Sequence, residues 1–226
     1  MGVRAMRSAV LVGASGLVGA RLLTRLLAHP DYERVTVWVR RPVSLEIHKF
    51  AQVVVDFDRL QEHAQQLVAD DVYVALGTTI KNAGSQEAFR RVDHDYPLDI
   101  ARIAVRQGVQ RFLMVSALGA DAQSRVFYNR VKGEVETDIR AIGLPKVWFF
   151  RPSLLVGDRA ESRPGERIGI AVGKVIAPLM LGGLRRYRPI SVDAVAAAMI
   201  YAATRNVQPG VVESEEIARL AALSPY

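Results

Sequence analysis

The stretch Gly13-Ala-Ser-Gly16-Leu-Val-Gly19 limits the possible folds of this chain more than any other segment. It follows an apolar run that favours a β-strand and precedes ARLLTRLLAH, whose leucine spacing favours an α-helix. Gly13 would permit a tight strand-to-helix turn, Gly16 a close approach of a pyrophosphate to the backbone, and Gly19 close packing of the helix on the sheet. The unpaired N–H groups of the first helical turn would then face the phosphates. The pattern predicts a dinucleotide site formed by Gly13, Ser15, Gly16, Leu17, Val18 and Gly19; a plain tight turn is the alternative.

The rest of the chain alternates apolar runs with segments of helical periodicity. The apolar runs are continuous, as in the strands of a parallel sheet that is covered on both faces. The alternation predicts a Rossmann-like, doubly wound α/β fold with helices on both faces. Strands are predicted at 8–13, 34–39, 52–55, 71–76, 111–116 and 146–150, and helices at 17–29, 60–68, 86–107, 125–142, 165–181, 191–204 and 213–222.

The whole chain, residues 1–226, is expected to form a single domain, because it contains no internal repeat or long linker. Between 151 and 190 the composition shifts towards glycine, proline and arginine. This segment is predicted to leave the sheet as a small substrate-side or lid excursion. Its apolar stretch 168–184 contains a lysine and a proline and is shorter than the ~20 residues that a membrane span needs. No membrane span is therefore expected.

The end of the second predicted strand indicates which nucleotide is preferred. An NAD site typically places a carboxylate there, about 20 residues after the glycines, to bind the ribose 2′-hydroxyl. This chain has Arg40-Arg41 instead, and two guanidinium groups match a 2′-phosphate in charge and donor geometry. NADPH is the predicted cofactor and NADH remains possible. An ordinary solvated arginine pair is the alternative.

Two further loops follow predicted strands and could contact the same cofactor. Asp56-Phe57 follows the third strand, where the carboxylate could accept a hydrogen bond from the adenine amino group. Leu76-Gly77-Thr78 follows the fourth strand, where small residues could run along a ribose. A solvated aspartate and a simple turn are the alternatives.

Composition argues against several other classes of function. The chain has no cysteine, which removes disulfides, thiolate nucleophiles and Cys-ligated metals and fits a cytoplasmic location. The net charge is +7, but the arginines are scattered in pairs and no nucleic-acid-binding signature occurs, so nucleic acid is not the expected partner. No metal site is predicted, because the histidines lack close ligand spacing and are interpreted as surface or loop residues: His29, His48, His63 and His94.

Tyr128 and Lys132 are four residues apart in a segment with helical periodicity. On a helix this spacing places both side chains on one face, about one turn apart. They could form a catalytic phenol–ammonium pair. Tyr128 also lies beside the apolar stripe formed by Val131, Val135 and Ile139, so simple packing is the alternative.

Taken together, the motifs resemble the short-chain dehydrogenase/reductase superfamily, and within it an atypical branch, the Tat-interacting-protein oxidoreductases. The resemblance covers most of the chain to about residue 200. It is carried by the glycine turn and by the collinear segments VVVDFDRL, ALGTT, KNAG, FRRVDHDY, SALGAD, YNRVKGEVE and RPSLLVGDRAESRPGE. It implies a Rossmann-like fold and NADPH binding, and it implies no known substrate.

The resemblance also implies roles for individual residues. Tyr128 would donate a proton to a carbonyl oxygen as hydride arrives from the nicotinamide, and Ser116 would hydrogen-bond the same oxygen. Lys132 would place a positive charge beside the phenol and bind the nicotinamide ribose. Arg151 and Pro152 would begin the substrate loop beside the cofactor. Many members have an asparagine where this chain has Asp93, and this departure affects the proton relay without affecting cofactor binding.

These observations favour an NADPH-dependent oxidoreductase that reduces a small carbonyl compound, and the apolar stretch 168–184 would favour an apolar or amphipathic one. The alternative is an NADPH-binding regulatory protein without turnover, because both proteins would need the same glycine turn and arginine pair. The predicted helices 86–107 and 125–142 are compatible with a homodimer, although an apolar helical face is equally a core face.

Overall fold

The computed structural model describes residues 6–157 and 187–225. Nine strands lie in this part of the chain: β1 (Arg7–Val12), β2 (Tyr32–Val39), β3 (Phe50–Val54), β4 (Asp71–Val74), β5 (Arg111–Val115), β6 (Lys146–Arg151), β7 (Leu155–Val156), β8 (Ile190–Ser191) and β9 (Gly210–Glu213). Seven of them form one sheet in the order β3-β2-β1-β4-β5-β6-β9, and every pairing is parallel. The predicted Rossmann-like fold is confirmed.

Helices cover both faces of this sheet. They are α1 (Leu17–Ala28), α2 (Ile80–Ala83), α3 (Gln86–Arg90), α4 (Tyr96–Arg106), α5 (Phe127–Ala141), α6 (Val192–Thr204) and α7 (Ser214–Leu223). One apolar cluster joins α1, α6 and α7 to one face, and a second joins α4 and α5 to the other. The apolar faces of α4 and α5 are thus used in the core, and they do not by themselves indicate a dimer.

The predicted helix at 86–107 is interrupted. A π-helical turn, Arg91–Asp95, separates α3 from α4 without ending the helical path. Asp93 and His94, in the middle of this turn, are both buried. π turns insert one extra residue and occur frequently at functional sites.

Other elements differ from the sequence prediction in smaller ways. The helix predicted at 60–68 is a 3-10 segment, Phe57–Gln66, with a kink at Arg59. The three short strands β7, β8 and β9 were not predicted. The large-sheet strands that were predicted agree with the structure to within two residues at each end.

Segment 151–190, which the sequence predicts to leave the main sheet, has the two strands of a small second sheet near its ends. β7 pairs in parallel with β8, with Leu155 opposite Ile190 and Val156 opposite Ser191. The helix predicted at 165–181 and the apolar lid predicted at 168–184 lie outside the described residues. Within 6–157 and 187–225, the structure contains no helix with the length and apolarity to cross a bilayer.

The interpretation of all four histidines as surface or loop residues is wrong for His94, while His29 lies in the loop after α1 but is not at the surface. His94 is 5% exposed, and its ring nitrogens contact Asp95 and Asp138 at 2.8 and 2.9 Å. His29 is also buried, with its ring beside that of Tyr32. Both imidazoles have polar partners, which makes their burial energetically acceptable.

Candidate functional site

The turn between β1 and α1 requires its glycines. Gly13 has a φ angle of +94°, and a Cβ atom there would lie 2.5 Å from the carbonyl oxygen of Ala75. A Cβ atom at Gly19 would lie 2.0 Å from the carbonyl oxygen of Gly13. The turn therefore fits against the end of β4 and against the first turn of α1 only because these side chains are absent.

The first turn of α1 presents N–H groups without a side-chain cap. Gly16 is the N-cap residue, and it has no side chain that could accept from these N–H groups. The first turn also contains no acidic residue. Val18 and Gly19 are buried at the start of the helix. This helix end can therefore accept an anion, which the helix dipole would further stabilise.

A cavity of about 860 Å³ opens beside this turn, at the carboxyl edge of the sheet. This edge is where doubly wound folds bind ligands. Its lining includes nine of the predicted cofactor-binding residues: Gly13, Ser15, Gly16, Arg40, Arg41, Phe57, Leu76, Gly77 and Thr78. Sequence reasoning missed the other lining residues, among them Trp38, Asn82, Val92 and Tyr96.

Arg40 and Arg41 follow β2 at the rim of the cavity and are both exposed. Neither forms an ion pair within the part of the chain that the structure describes. Trp38, also at the cavity wall, is 1% exposed, and its indole N–H has no hydrogen-bond partner there. The position of Trp38, two residues before the arginine pair, is the signal that could have identified it.

The aromatic side of the cavity is formed by Phe57 and Tyr96, whose ring centroids are 5.4 Å apart. The Tyr96 hydroxyl donates to Asp58 at 2.7 Å, and burial together with this carboxylate raises the pKa of Tyr96 to about 12. Asp56 caps the 3-10 segment by accepting from the Asp58 N–H at 3.0 Å. Phe57, but not Asp56, belongs to the cavity lining.

Lys132 is buried and forms an ion pair with Asp93. Lys132 Nζ lies 2.7 Å from Asp93 Oδ1, and the side chains are 4% and 1% exposed. Burial lowers the pKa of Lys132, but Asp93 and, to a smaller extent, Tyr128 and Glu136 outweigh this effect and raise it above its ordinary value of 10.5. The other carboxylate oxygen of Asp93 accepts from the Thr78 N–H at 2.9 Å. Asp93 thus links the buried ammonium to a loop in the cavity wall.

A second buried network surrounds Glu136, which sequence reasoning did not identify. The Ser116 hydroxyl donates to Glu136 Oε1 at 2.5 Å. The Arg151 guanidinium donates to both oxygens of Glu136, at 3.0 and 2.7 Å, and also to Glu213 at 3.1 Å. The position of Glu136, one helical turn after Lys132 on α5, could have indicated that it also faces inward.

Tyr128 lies near the start of α5 and is partly buried. Its ring packs against Phe89, with centroids 5.6 Å apart. The lining of the 860 Å³ cavity does not include the three predicted catalytic residues, Ser116, Tyr128 and Lys132. It also does not include Arg151 and Pro152. The structure places Ser116 and Lys132 in separate polar networks, which both reach α5.

Several known proteins are related to this chain in sequence. Residues 13–206 match a family model described as NAD(P)H-binding. The chain is 40% identical to protein HTATIP2 of Rattus norvegicus over 164 residues, which are 71% of this chain and 67% of that protein. It is 34% identical to a protein named "fmp52, mitochondrial" of Emericella nidulans over 205 residues, or 86% and 88% of the two chains.

Solved structures show the same fold at low sequence identity. MoeE5 in complex with UDP-glucose and NAD has a TM-score of 0.65 and 16% identity, covering 96% of this chain and 81% of MoeE5. A UDP-Glc/GlcNAc 4-epimerase from Campylobacter jejuni has a TM-score of 0.65 and 14% identity, covering 94% and 82%.

One sequence prediction is contradicted by these relatives. A cytoplasmic location was expected from the absence of cysteine, but the Fmp52 relatives are named as mitochondrial proteins. The lack of cysteine excludes thiol chemistry, but it gives no information on the cellular compartment.

The fold, the glycine turn and the sequence similarity agree on the family. The chain belongs to the NAD(P)H-binding family, as an atypical short-chain dehydrogenase/reductase that resembles HTATIP2.

Proposed function

We propose that the protein is an NADPH-dependent oxidoreductase that reduces a carbonyl compound, with Tyr128 as the proton donor. The observation that carries the proposal is the cavity between the glycine turn and the exposed arginine pair. Its volume of about 860 Å³ is within the ~300–1,000 Å³ of typical cofactor and ligand pockets. The uncapped N–H groups of α1 lie at one side of it, where a pyrophosphate would be stabilised.

Two features of the cavity wall fit a phosphorylated dinucleotide. Arg40 and Arg41 are free of ion pairs within the described residues, so a 2′-phosphate would meet both guanidiniums without displacing a carboxylate. The unpartnered indole N–H of Trp38 could donate to an oxygen or ring nitrogen of the cofactor. A buried donor without a partner costs about 1–3 kcal/mol, which a bound acceptor would recover.

The Asp93–Lys132 pair and the Ser116–Glu136 hydrogen bond limit the chemical roles that these side chains would have next to a bound substrate. The bound nicotinamide would supply the hydride. Tyr128 would give its phenolic proton to the carbonyl oxygen, and Lys132, kept cationic by Asp93, would stabilise the resulting phenolate. Ser116 could donate to the carbonyl oxygen only after its hydroxyl turns away from Glu136.

The same networks support a second candidate function, an NADPH-binding regulatory protein without turnover. The Lys132 ammonium is paired with Asp93, and the Ser116 hydroxyl is bonded to Glu136. Two of the three groups expected to work on a substrate are thus satisfied internally. In that case the cofactor would act as a ligand that stabilises the Leu76–Thr78 loop, to which Asp93 is bonded.

The cofactor preference is tested by calorimetry with NADPH and NADH on the wild type and on the double variant Arg40→Gln/Arg41→Gln. The variant should bind NADPH at least ~10-fold more weakly, because two charge-assisted contacts are removed, while NADH affinity changes little. The matched control is Arg59→Gln, an exposed arginine outside the cavity lining. An equal loss for both cofactors would place the 2′-phosphate elsewhere.

The reaction is tested by NADPH oxidation against a panel of carbonyl compounds, with the wild type and Tyr128→Phe compared at equal cofactor occupancy. Loss of the proton donor should lower kcat by about 10²–10⁴-fold while NADPH affinity is retained. Equal rates in the two proteins would exclude Tyr128 from the chemistry. Tight NADPH binding without oxidation of any compound would favour the regulatory protein.

A further inference from the structure

A second pocket, at the opposite edge of the sheet, has the composition of an anion site. It measures about 200 Å³ and lies at the amino ends of the strands, between the sheet and the C-terminal end of α6. Six of its nine lining residues are polar or cationic, and the other three are Trp148, Ala202 and Ala203: the six are Arg7, Arg111, Lys146, Thr204, Arg205 and Asn206. The cofactor cavity, at the carboxyl edge, shares none of these residues.

The register of the sheet brings the basic side chains together. Arg111 is opposite Lys146 on β6 and opposite Asp71 on β4. Ala9 is also opposite Asp71, and Arg7, two residues earlier on β1, points to the same face. The strands β1, β5 and β6, with β4 between the first two, thus direct two arginines and a lysine into one pocket, and Arg205 adds a fourth cation from the end of α6.

One buried carboxylate partly balances these charges. Asp71 is fully buried, accepts from Arg111 Nε and lies 3.9 Å from Arg7 Nη1. It also accepts from the Tyr32 hydroxyl at 2.5 Å. Arg7 Nη1 donates in addition to the Ala203 carbonyl oxygen at 2.7 Å. The two arginines are therefore held in place by Asp71 and α6, and each keeps further N–H donors.

The remaining two cations have no counter-charge in the part of the chain that the structure describes. Within the described residues, neither Lys146 nor Arg205 forms an ion pair, and both are exposed at the mouth of the pocket. Four formal positive charges thus surround one negative charge, a local excess of three. The carbonyl end of the α6 dipole offsets only about half a charge. Such an excess attracts a multiply charged anion more strongly than a single carboxylate.

We propose that this pocket binds the phosphoryl group of a small molecule, independently of the dinucleotide cavity. Arg7 and Arg111 would form its fixed base, and Lys146 and Arg205 would close on the anion from the solvent side. The small volume excludes a whole dinucleotide and fits a phosphate or pyrophosphate group. Free phosphate and the phosphate of a metabolite share this chemistry, and the experiment separates them.

The two tryptophans of the chain provide a separate reporter for each site. Trp38 lines the dinucleotide cavity and Trp148 lines the basic pocket, where its indole N–H donates to the Gln208 carbonyl oxygen at 3.0 Å. In ¹⁵N-labelled protein, inorganic phosphate, pyrophosphate and a sugar phosphate are titrated separately while both indole resonances are followed. Each is expected to shift the Trp148 resonance, and the relative affinities show whether a free or an esterified phosphoryl group fits better.

The test variant is Lys146→Gln/Arg205→Gln, which spares the structural arginines. Removing two cations should weaken binding at Trp148 about 10-fold or more, while the NADPH-induced shift of Trp38 stays unchanged. The matched control, Arg40→Gln/Arg41→Gln, should leave anion binding at Trp148 intact. Three outcomes overturn the proposal: no Trp148 shift at millimolar anion, equal affinity in the Lys146/Arg205 variant, or loss of binding only in the Arg40/Arg41 control. None of these outcomes bears on NADPH binding, which Trp38 reports.

Discussion

Replacing Asp93 with asparagine should destabilise the protein and make its stability depend on pH. Asparagine has nearly the same shape and can still accept from the Thr78 N–H, but it cannot neutralise Lys132. Removing one member of a buried ion pair typically costs ~3–5 kcal/mol, because the other charge stays buried without compensation. A loss of at least about 3 kcal/mol is expected here, because an amide whose single oxygen accepts from Thr78 turns its NH2 group towards the Lys132 ammonium.

The direction of the pH dependence follows from the pKa of Lys132. In the wild type this pKa lies above 10.5, so the contribution of the ammonium to stability is complete at neutral pH and is lost only as the pH rises beyond 10.5. In Asp93→Asn, burial is opposed only by Tyr128 and Glu136, and the pKa should fall below the ordinary value. The unfolded variant then binds the proton more readily, so its stability should rise with pH up to about 10.4.

Urea unfolding at several pH values measures both effects. With an m-value of about 3 kcal/mol/M for a chain of this size, a loss of 3 kcal/mol lowers the midpoint by ~1 M near pH 7. The control is Asp99→Asn on the same helical path, where an exposed pair with Arg102 should contribute no more than ~0.5 kcal/mol. Adding Lys132→Met to Asp93→Asn should recover much of the loss. Equal midpoints for the wild type and Asp93→Asn at all pH values would refute the assignment of a charged pair.

Three further substitutions test other parts of the site. Gly19→Ala should remove NAD(P)H binding and lower the unfolding midpoint, because its Cβ would meet the Gly13 backbone; a variant with native affinity would disprove the tight packing of this turn. Trp38→Phe should weaken NADPH binding about 5-fold or more, because the unpaired indole N–H is lost; unchanged affinity by calorimetry would show that the indole N–H makes no cofactor contact. Glu136→Gln should lower stability by about 1–3 kcal/mol in urea unfolding, because Ser116 and Arg151 lose a charged acceptor while Arg151 keeps Glu213, and a loss below ~0.5 kcal/mol would contradict the network.

The fold could be predicted because its signals are local. The central strands β1, β4, β5 and β6 each contain a continuous run of apolar residues, and the glycine turn contains its own conformational requirements. β9 could not be predicted, because its four residues become a strand only by pairing with β6, where Val212 is opposite Phe150. The 3-10 segment was assigned as a helix because both forms have similar periodicity over so few residues.

The candidate site could also be predicted only in part. The cavity wall at Arg40-Arg41 and Leu76–Thr78 follows from the rule that loops after parallel strands meet at one edge. The polar networks did not follow, because their members lie on different elements of the fold. His94 contacts Asp138, which is 44 residues away in the sequence, and Glu136 accepts hydrogen bonds from Arg151 at the end of β6. Such pairs depend on the rotation of each helix about its axis, which hydrophobic periodicity fixes only coarsely.

The π turn at Arg91–Asp95 has a consequence for the rotational phase of the helix that follows it. A regular α-helix advances about 100° per residue, so one additional residue turns α4 relative to α3 by about that angle. Through this offset Asp93 and His94, although adjacent, both meet side chains of α5. Deleting one residue would give a regular helix but would rotate either the Asp93 carboxylate away from Lys132 or the apolar side of α4 away from the sheet. The irregular turn thus keeps both the Asp93 carboxylate next to Lys132 and the apolar side of α4 on the sheet.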